Sequence, residues 1–228
     1  MNVTAKLIQH PLLDIIKTRR SIRRFKPDPI SDDQLLTILE AARLAPTGEN
    51  VCPWRFIIVK DPEKRRILTE LGVRGARRRM GTDILSSRSG KFEEWYGHLP
   101  EDVKSKIFDR LKDAKFMSWL DEAPIHIIAC TTKHAIDMRE DLSAALENML
   151  LMIHALGLGA VWVAAPVKDV REEEEVRKLL KIPPDIKPIA QICIGYPNQS
   201  PKERPKKPLE EVAFFEEWGK PLPFKKEE

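Results

Sequence analysis

Apolar residues recur at three- and four-residue spacing in several stretches, and each predicts a helix with one buried face. Residues 10–20, HPLLDIIKTRR, read as a short first helix. Residues 31–46 read as a second, with Leu35, Ile38, Leu39 and Ala42 on one face. Ser31 and Gln34 have the spacing of a capping box, Asp32 and Asp33 suit the helix dipole, and Pro46 and Gly48 stop the run. A third helix is expected over 61–72, with Pro62 in its first turn and Gly72 past its end. A long helix over 137–157 and a helix from 172 complete this set; the acidic run 172–175 reads as a solvated face with i,i+4 partners in Arg177 and Lys178.

Continuous apolar runs predict buried strands at 55–60, 123–132, 160–166 and 189–197. Pro27 and Pro29 keep residues 19–30 extended. Residues 149–167 hold no Asp, Glu, Lys or Arg and imitate a membrane span in length. Gly157, Gly159 and Pro166 interrupt that run, which favours a buried helix ending at Gly157 and then a strand. Residues 73–120 show no clear period, and a mobile loop followed by one or two amphipathic helices is expected there. Residues 202–228 form a basic, proline-rich tail. Helices and strands mix without regular βαβ alternation, which points to an α+β fold.

Composition narrows the function. The 228 residues are 42% hydrophobic and 32% charged, enough apolar content for a sizeable core. A net charge of +4 is small for a dedicated nucleic-acid binder, so neither nucleic acid nor a membrane is expected as partner. Three scattered cysteines, none in a CxxC pair, argue against a disulfide scaffold and a zinc site. Cys130 and Cys193 lie in apolar runs and read as inert thiols. The first twenty residues lack the order of a signal peptide, and a cytoplasmic protein is expected.

Four stretches carry candidate chemistry. In RRSIRRFK, residues 19–26, an extended backbone puts Arg19, Ser21 and Arg23 on one face. Two guanidinium forks beside a hydroxyl suit a phosphate monoester, and a solvated basic turn is the alternative. In APTGENVCPW, residues 45–54, Thr47 and Asn50 offer hydrogen bonds to a flat polar ring and Gly48 admits close backbone approach; an ordinary helix-to-strand loop stays open. In ALGLGAVWVAAP, residues 155–166, small residues either pack a helix on a strand or let a planar ligand lie on backbone. The last stretch, residues 195–212, sets Arg204, Lys206 and Lys207 after a strand and a turn.

Together and in this order, RRSIRRF, PTGENVCPW, ALGLGAVW and GYPNQSPKERPKKP resemble the nitroreductase family of FMN-dependent oxidoreductases over about residues 12–212. The resemblance implies one domain over 1–228 with a central, mostly antiparallel sheet flanked by helices, a variable insert near 73–120 and a C-terminal extension from about 205. It implies an intertwined homodimer with two flavins at the interface. Arg19, Arg20, Ser21 and Arg23 are then expected at the FMN phosphate and ribitol, with Arg204 and Lys206 completing that site. Pro46, Thr47, Gly48 and Asn50 are expected to reach the flavin from the partner subunit, and backbone at Ala164 and Ala165 to lie near the reactive ring edge. Cys52 stands where the family often has Gln. The implied activity is ping-pong hydride transfer from NAD(P)H through FMN to an electron-poor acceptor of nitroaromatic or quinone type. No protein acid or base is expected, because the flavin carries the chemistry. The alternative within the fold is a reductive dehalogenase or another specialised flavin enzyme, for which Phe92, Trp95, Tyr96 and Trp119 would form a lid and not a helical hairpin. A non-enzymatic basic binding protein is the remaining class.

Overall fold

The computed structural model describes residues 3–86, 88 and 90–226. They divide into two units, Met1–Arg19 with Pro201–Glu228, and Arg20–Ser200. The terminal unit starts with strand β1 (Val3–Ala5) and helix α1 (Pro11–Thr18). Pro11 fills the first turn, where no amide donor is needed, and the His10 ring accepts the Leu12 amide at 3.2 Å.

In the larger unit, helix α2 (Asp32–Arg43) opens on the expected capping box. Ser31 Oγ accepts the Gln34 amide at 3.2 Å, and Gln34 Oε1 accepts the Ser31 amide at 3.1 Å. Such a cap contributes about 1 kcal/mol. Strand β2 (Trp54–Val59) leads to α3 (Pro62–Arg79), which is longer than expected. Gly72 and Gly75 do not end the helix; both are buried inside it. A Cβ on Gly72 would stand 2.8 Å from Leu120 Cδ1, and one on Gly75 would collide with the Ala165 carbonyl. These glycines admit close packing, so the letter that marks a stop elsewhere marks an approach here.

A π turn (Met80–Ile84) follows, then α4 (Lys91–Tyr96), α5 (Glu101–Asp113) and a 3₁₀ segment (Lys115–Glu122). The expected loop over 73–90 is therefore helical up to Ile84; Ser87 and Ser89 of SSRSG lie outside the described residues. Phe92 packs edge-on against Phe108 with ring centroids 5.4 Å apart, so α4 and α5 form a helical hairpin.

Strand β3 (Ile125–Thr132), α6 (Met138–Ala155), β4 (Gly159–Val163), α7 (Ala165–Lys168), α8 (Val170–Leu180) and β5 (Ile186–Gly195) complete the larger unit. Helix α6 ends in a Schellman arrangement: Gly157 takes φ 74°, its amide donates to His154, and the Leu158 amide donates to Ile153. The uncharged run 149–167 is thus a helix end and a strand, and no described helix is long and apolar enough to cross a membrane. Strand β4 stops at Val163, short of the expected 166, because Pro166 stands in the first turn of α7.

The four strands form an antiparallel sheet in the order β2, β3, β5, β4. Pro188 sits in the inner strand β5 opposite a register shift at Ala129 and Cys130, where its missing amide is tolerated. Helices α2 and α6 cover one face through Ile38, Leu142, Leu146 and Met149. Helices α3, α7 and α8 and the 3₁₀ segment cover the other through Leu68, Leu71, Val167, Val176 and Leu120. Both faces are covered, so β3 reads as a run of apolar residues without alternation.

The acidic run is a solvated face only at Glu174 and Glu175, and the expected pairs of Glu173 with Arg177 and Glu174 with Lys178 form. Glu172 is fully buried and pairs with Arg78 at 3.1 Å, while Glu173 and Arg177 are both largely buried at 3.1 Å. In the terminal unit a 3₁₀ turn (Leu209–Glu211) and strand β6 (Phe224–Lys226) follow, and β6 pairs in parallel with β1. Neither short strand has the length or pattern to be seen in sequence.

Candidate active site

The extended reading of residues 21–26 holds. Ser21 bridges in parallel to Ala160 of β4, and the Ile22 amide donates to the Ala160 carbonyl at 2.9 Å. Phe25 bridges to Pro197, the Lys26 amide donates to Tyr196 at 2.9 Å, and the Asn198 amide donates to Arg24 at 2.9 Å. Ile22 is buried between half-buried Ser21 and exposed Arg23, as alternation requires; the alternation ends there, since Arg24 is exposed and Phe25 is buried. Gly159 makes this contact possible, since a Cβ there would stand 2.7 Å from Ile22 Cγ1.

Two residues outside the motif hold the segment. The Arg23 guanidinium lies 6.0 Å from the centroid of the Trp119 ring, within cation–π range. Glu122 accepts from Arg24 Nε at 3.0 Å and from the Phe25 amide at 3.2 Å. Both belong to the 3₁₀ segment, which carries no motif in the sequence. A carboxylate and an aromatic three residues apart are its only trace there.

The parallel bridge gives the edge of β4 a direction. Ser21 lies against Ala160, the chain reaches Pro197 at Phe25, and Ala164 and Ala165 follow the far end of β4, half-buried. Four strand residues span roughly 13 Å. The α3 backbone packs on the Ala165 carbonyl at Gly75, which fixes this turn.

Pro46, Thr47, Gly48 and Asn50 form a separate loop before β2; Pro46, Gly48 and Asn50 are exposed and Thr47 is half-buried. Glu49, Asn50 and Cys52 take φ of 54°, 58° and 45°, which is costly for residues with a Cβ. Thr47 Oγ1 accepts the Cys52 amide at 3.3 Å, and Asp141 Oδ1 accepts the Gly48 amide at 3.2 Å. Asp141, like Glu122, is a residue the sequence did not single out, whereas Trp119 was singled out for a different role. The Cys52 thiol approaches Asn50 Oδ1 at 3.7 Å.

Arg20, Ser21 and Arg23 belong to the larger unit; Arg19, Arg204 and Lys206 belong to the terminal unit. Arg19 caps α1, its amide donating to Ile15 at 3.0 Å, and Arg204 and Lys206 lie in exposed irregular chain.

Beneath the sheet lies one buried polar group. His126 Nε2 meets the Leu120 carbonyl at 2.8 Å, and Gln191 Nε2 meets His126 Nδ1 and Cys193 Sγ at 3.2 Å each. Burial pushes His126 down to about 4, with Arg65 adding to the effect and the Leu120 carbonyl opposing it. The ring is therefore neutral, donates from Nε2 and accepts at Nδ1. Gln191 Oε1 has no partner among the described residues. Burial also pushes the Cys130 and Cys193 thiols up to about 12, so both are inert. Among the described residues no cluster of three or more His, Cys, Asp or Glu could hold a metal ion.

The sequence profile described as "Nitroreductase family" matches residues 16–196. The chain belongs to the nitroreductase family. Among its relatives in that family is a putative NADH dehydrogenase/NAD(P)H nitroreductase of Methanothermobacter thermautotrophicus, 28% identical over 90% of this chain and 86% of the relative. An iodotyrosine deiodinase of Thermotoga neapolitana is 34% identical over 88% of this chain and 95% of the relative. The crystal structure of an oxidized iodotyrosine deiodinase bound to FMN and 3-iodo-L-tyrosine superposes with TM-score 0.64 at 26% identity, covering 86% of this chain and 95% of the other. The α+β nitroreductase fold expected from the motifs is the fold observed, and the family is one of oxidoreductases.

The nitroreductase-family cofactor can be tested against this chain's residues. The half-buried Ser21 hydroxyl stands at the edge of β4 with the exposed Arg23 guanidinium two residues on, and the half-buried small residues Ala164 and Ala165 follow the strand's end. Charge at one end and an open, side-chain-poor edge at the other fit a phosphate joined through a chain to a flat ring.

Proposed function

We propose that this protein is an FMN-dependent NAD(P)H oxidoreductase that passes hydride to an electron-poor small molecule of nitroaromatic or quinone type by a ping-pong mechanism. FMN, when bound, supplies the hydride chemistry. The observation that carries the reading is the bridge that sets Ser21 against Ala160 at the edge of β4, with Arg23 two residues on and Ala164 past the strand's far end. Ser21 donates a neutral hydrogen bond and Arg20 and Arg23 charged ones to phosphate and ribitol. The same role is proposed for Arg19, Arg204 and Lys206 on the strength of their motifs. Trp119 and Glu122 hold the segment in place, so less side-chain freedom is lost on binding. The backbone at Ala164 and Ala165 admits the ring, and Pro46, Thr47, Gly48 and Asn50 approach it from a second subunit.

A homodimer is part of the proposal. Ile8 is 86% and Trp218 is 92% exposed in the terminal unit, and large apolar side chains left bare in this way support an interface. The protein is proposed to work in the cytoplasm as one flavin-binding domain. The segment over residues 73–120 is proposed to set acceptor choice.

A deiodinase-type reaction is the second reading, favoured by the 34% identity to the Thermotoga neapolitana relative. One preparation separates the readings. A visible flavin spectrum with NAD(P)H-dependent turnover of a nitroaromatic, and none of 3-iodotyrosine, supports the first. The reverse preference overturns it for the second, and a colourless protein that binds no FMN overturns both.

A further inference from the structure

We infer that Asp141 is a positioning residue that holds the loop over residues 47–52 in its ligand-facing conformation, an inference that rests on the flavin reading above. Three non-glycine residues of this loop lie in the left-handed region: Glu49, Asn50 and Cys52. Each brings its Cβ close to the following carbonyl. Three in four positions persist only where the surroundings hold them. The bonds inside the loop are local: Cys52 to Thr47 Oγ1, Asn50 to Thr47 and Val51 to Gly48. They close turns but do not fix where the loop sits.

The anchor comes from 93 residues away. Asp141 Oδ1 accepts the Gly48 amide at 3.2 Å. Asp141 stands in the first turn of α6, where the positive end of the helix favours a carboxylate, and it is 7% exposed. A carboxylate withdrawn that far from water needs a donor, and the Gly48 amide is one. Asp137, one turn earlier, crowds the same glycine: a Cβ on Gly48 would stand 3.2 Å from its Oδ2. Helix α6 is itself rooted in the core through Leu142, Ala145 and Leu146. The loop that carries Thr47 and Asn50 therefore takes its position from α6, through one charged hydrogen bond.

The test uses the full chain, with FMN and riboflavin titrations and amide exchange of the flavin-free protein. D141A should weaken FMN and riboflavin by the same factor, roughly tenfold for a lost charged hydrogen bond. Equal loss is expected because the loop is read as meeting the ring and not the phosphate. The Gly48 amide should exchange faster in D141A. D141N keeps an acceptor oxygen and should stay within about threefold of the parent. D141L fills the space without an acceptor and should behave as D141A, so it decides the matter where D141A does not fold. If neither folds, a parent Gly48 amide that exchanges as fast as a free peptide overturns the inference, and a protected one supports it. Parent-like affinity and exchange in D141A or D141L overturns it, as does D141N losing as much as they do. A parent that binds no flavin overturns the flavin reading, while the Gly48 exchange still decides whether Asp141 fixes the loop.

Discussion

Residues 21–26 and residues 47–52 are both short connectors in the larger unit, and they are held in opposite ways. The first lies in ordinary extended backbone, tied by main-chain bonds to Ala160, Tyr196 and Asn198, with Ile22 and Phe25 buried beneath it. The second is exposed over most of its length and carries three strained residues, with Asp141 as an outside anchor. One is extended chain pinned to the sheet by main-chain bonds. The other is a shape imposed on the chain from elsewhere. Sites need both kinds: charge is placed reliably by regular backbone, while an unusual backbone shape needs a distant support.

The largest effect tests the ground beneath the first region. His126 lies under the cluster that includes Ile22 and Phe25, and its folded pKa falls from 6.5 to about 4. Its contribution is full above pH 6.5 and is lost as pH falls through about 4, up to about 3 kcal/mol. Urea midpoints at pH 7.5, 6 and 4.5 should fall steadily, and the slope should flatten in H126Q. Of the other depressed groups, Asp32, Glu40, Glu63 and Asp169, only the two glutamates begin to act by pH 4.5, and their share persists in H126Q. A parent midpoint unchanged down to pH 4.5 would mean that His126 is not held neutral.

R23A comes next. It should weaken FMN by about 1.5–3 kcal/mol and leave riboflavin, which lacks phosphate, nearly unchanged. Equal losses in calorimetric titration would show that the first region does not read phosphate, and the contrast with the loop would collapse.

G159A attacks the packing of the first region directly. Its Cβ would stand 2.7–2.9 Å from three carbons of Ile22, and the overpacking should cost about 1–3 kcal/mol. A lowered melting temperature together with weaker FMN binding is expected; an unchanged melting temperature would show that the segment is free to lift.

The smallest effect belongs to the loop. Glu49 at φ 54° is strained, and E49G removes that strain while freeing the unfolded chain, for a net gain of up to about 1 kcal/mol. A denaturant midpoint that falls would mean the loop is not strained at all.

The contrast also explains what the sequence could reveal. The extended backbone of residues 21–26 was legible because prolines act locally, as were the Ser31 capping box and the end of α6 at Gly157. The loop's shape was not, because its left-handed residues are not glycines and its anchor lies 93 residues on. Gly72 misled because helix stops and close approaches use the same residue, and only the position of Leu120 tells them apart. Glu172 misled in the same way: an acidic run looks solvated until Arg78 is seen beside it. Trp119 and Glu122 sat in a stretch without period, and their importance comes from Arg23, Arg24 and Phe25, about a hundred residues earlier.

The pairing of β1 with β6 has a temporal side. Val3 pairs with Phe224, so β1 is translated more than two hundred residues before its partner. At about 5–20 residues per second, it waits roughly 10–45 s on the ribosome before that partner exists. Through that interval its amides and carbonyls are open to any passing edge, including those of nascent copies on the same message. This pairing can form only after the whole of the larger unit has been translated.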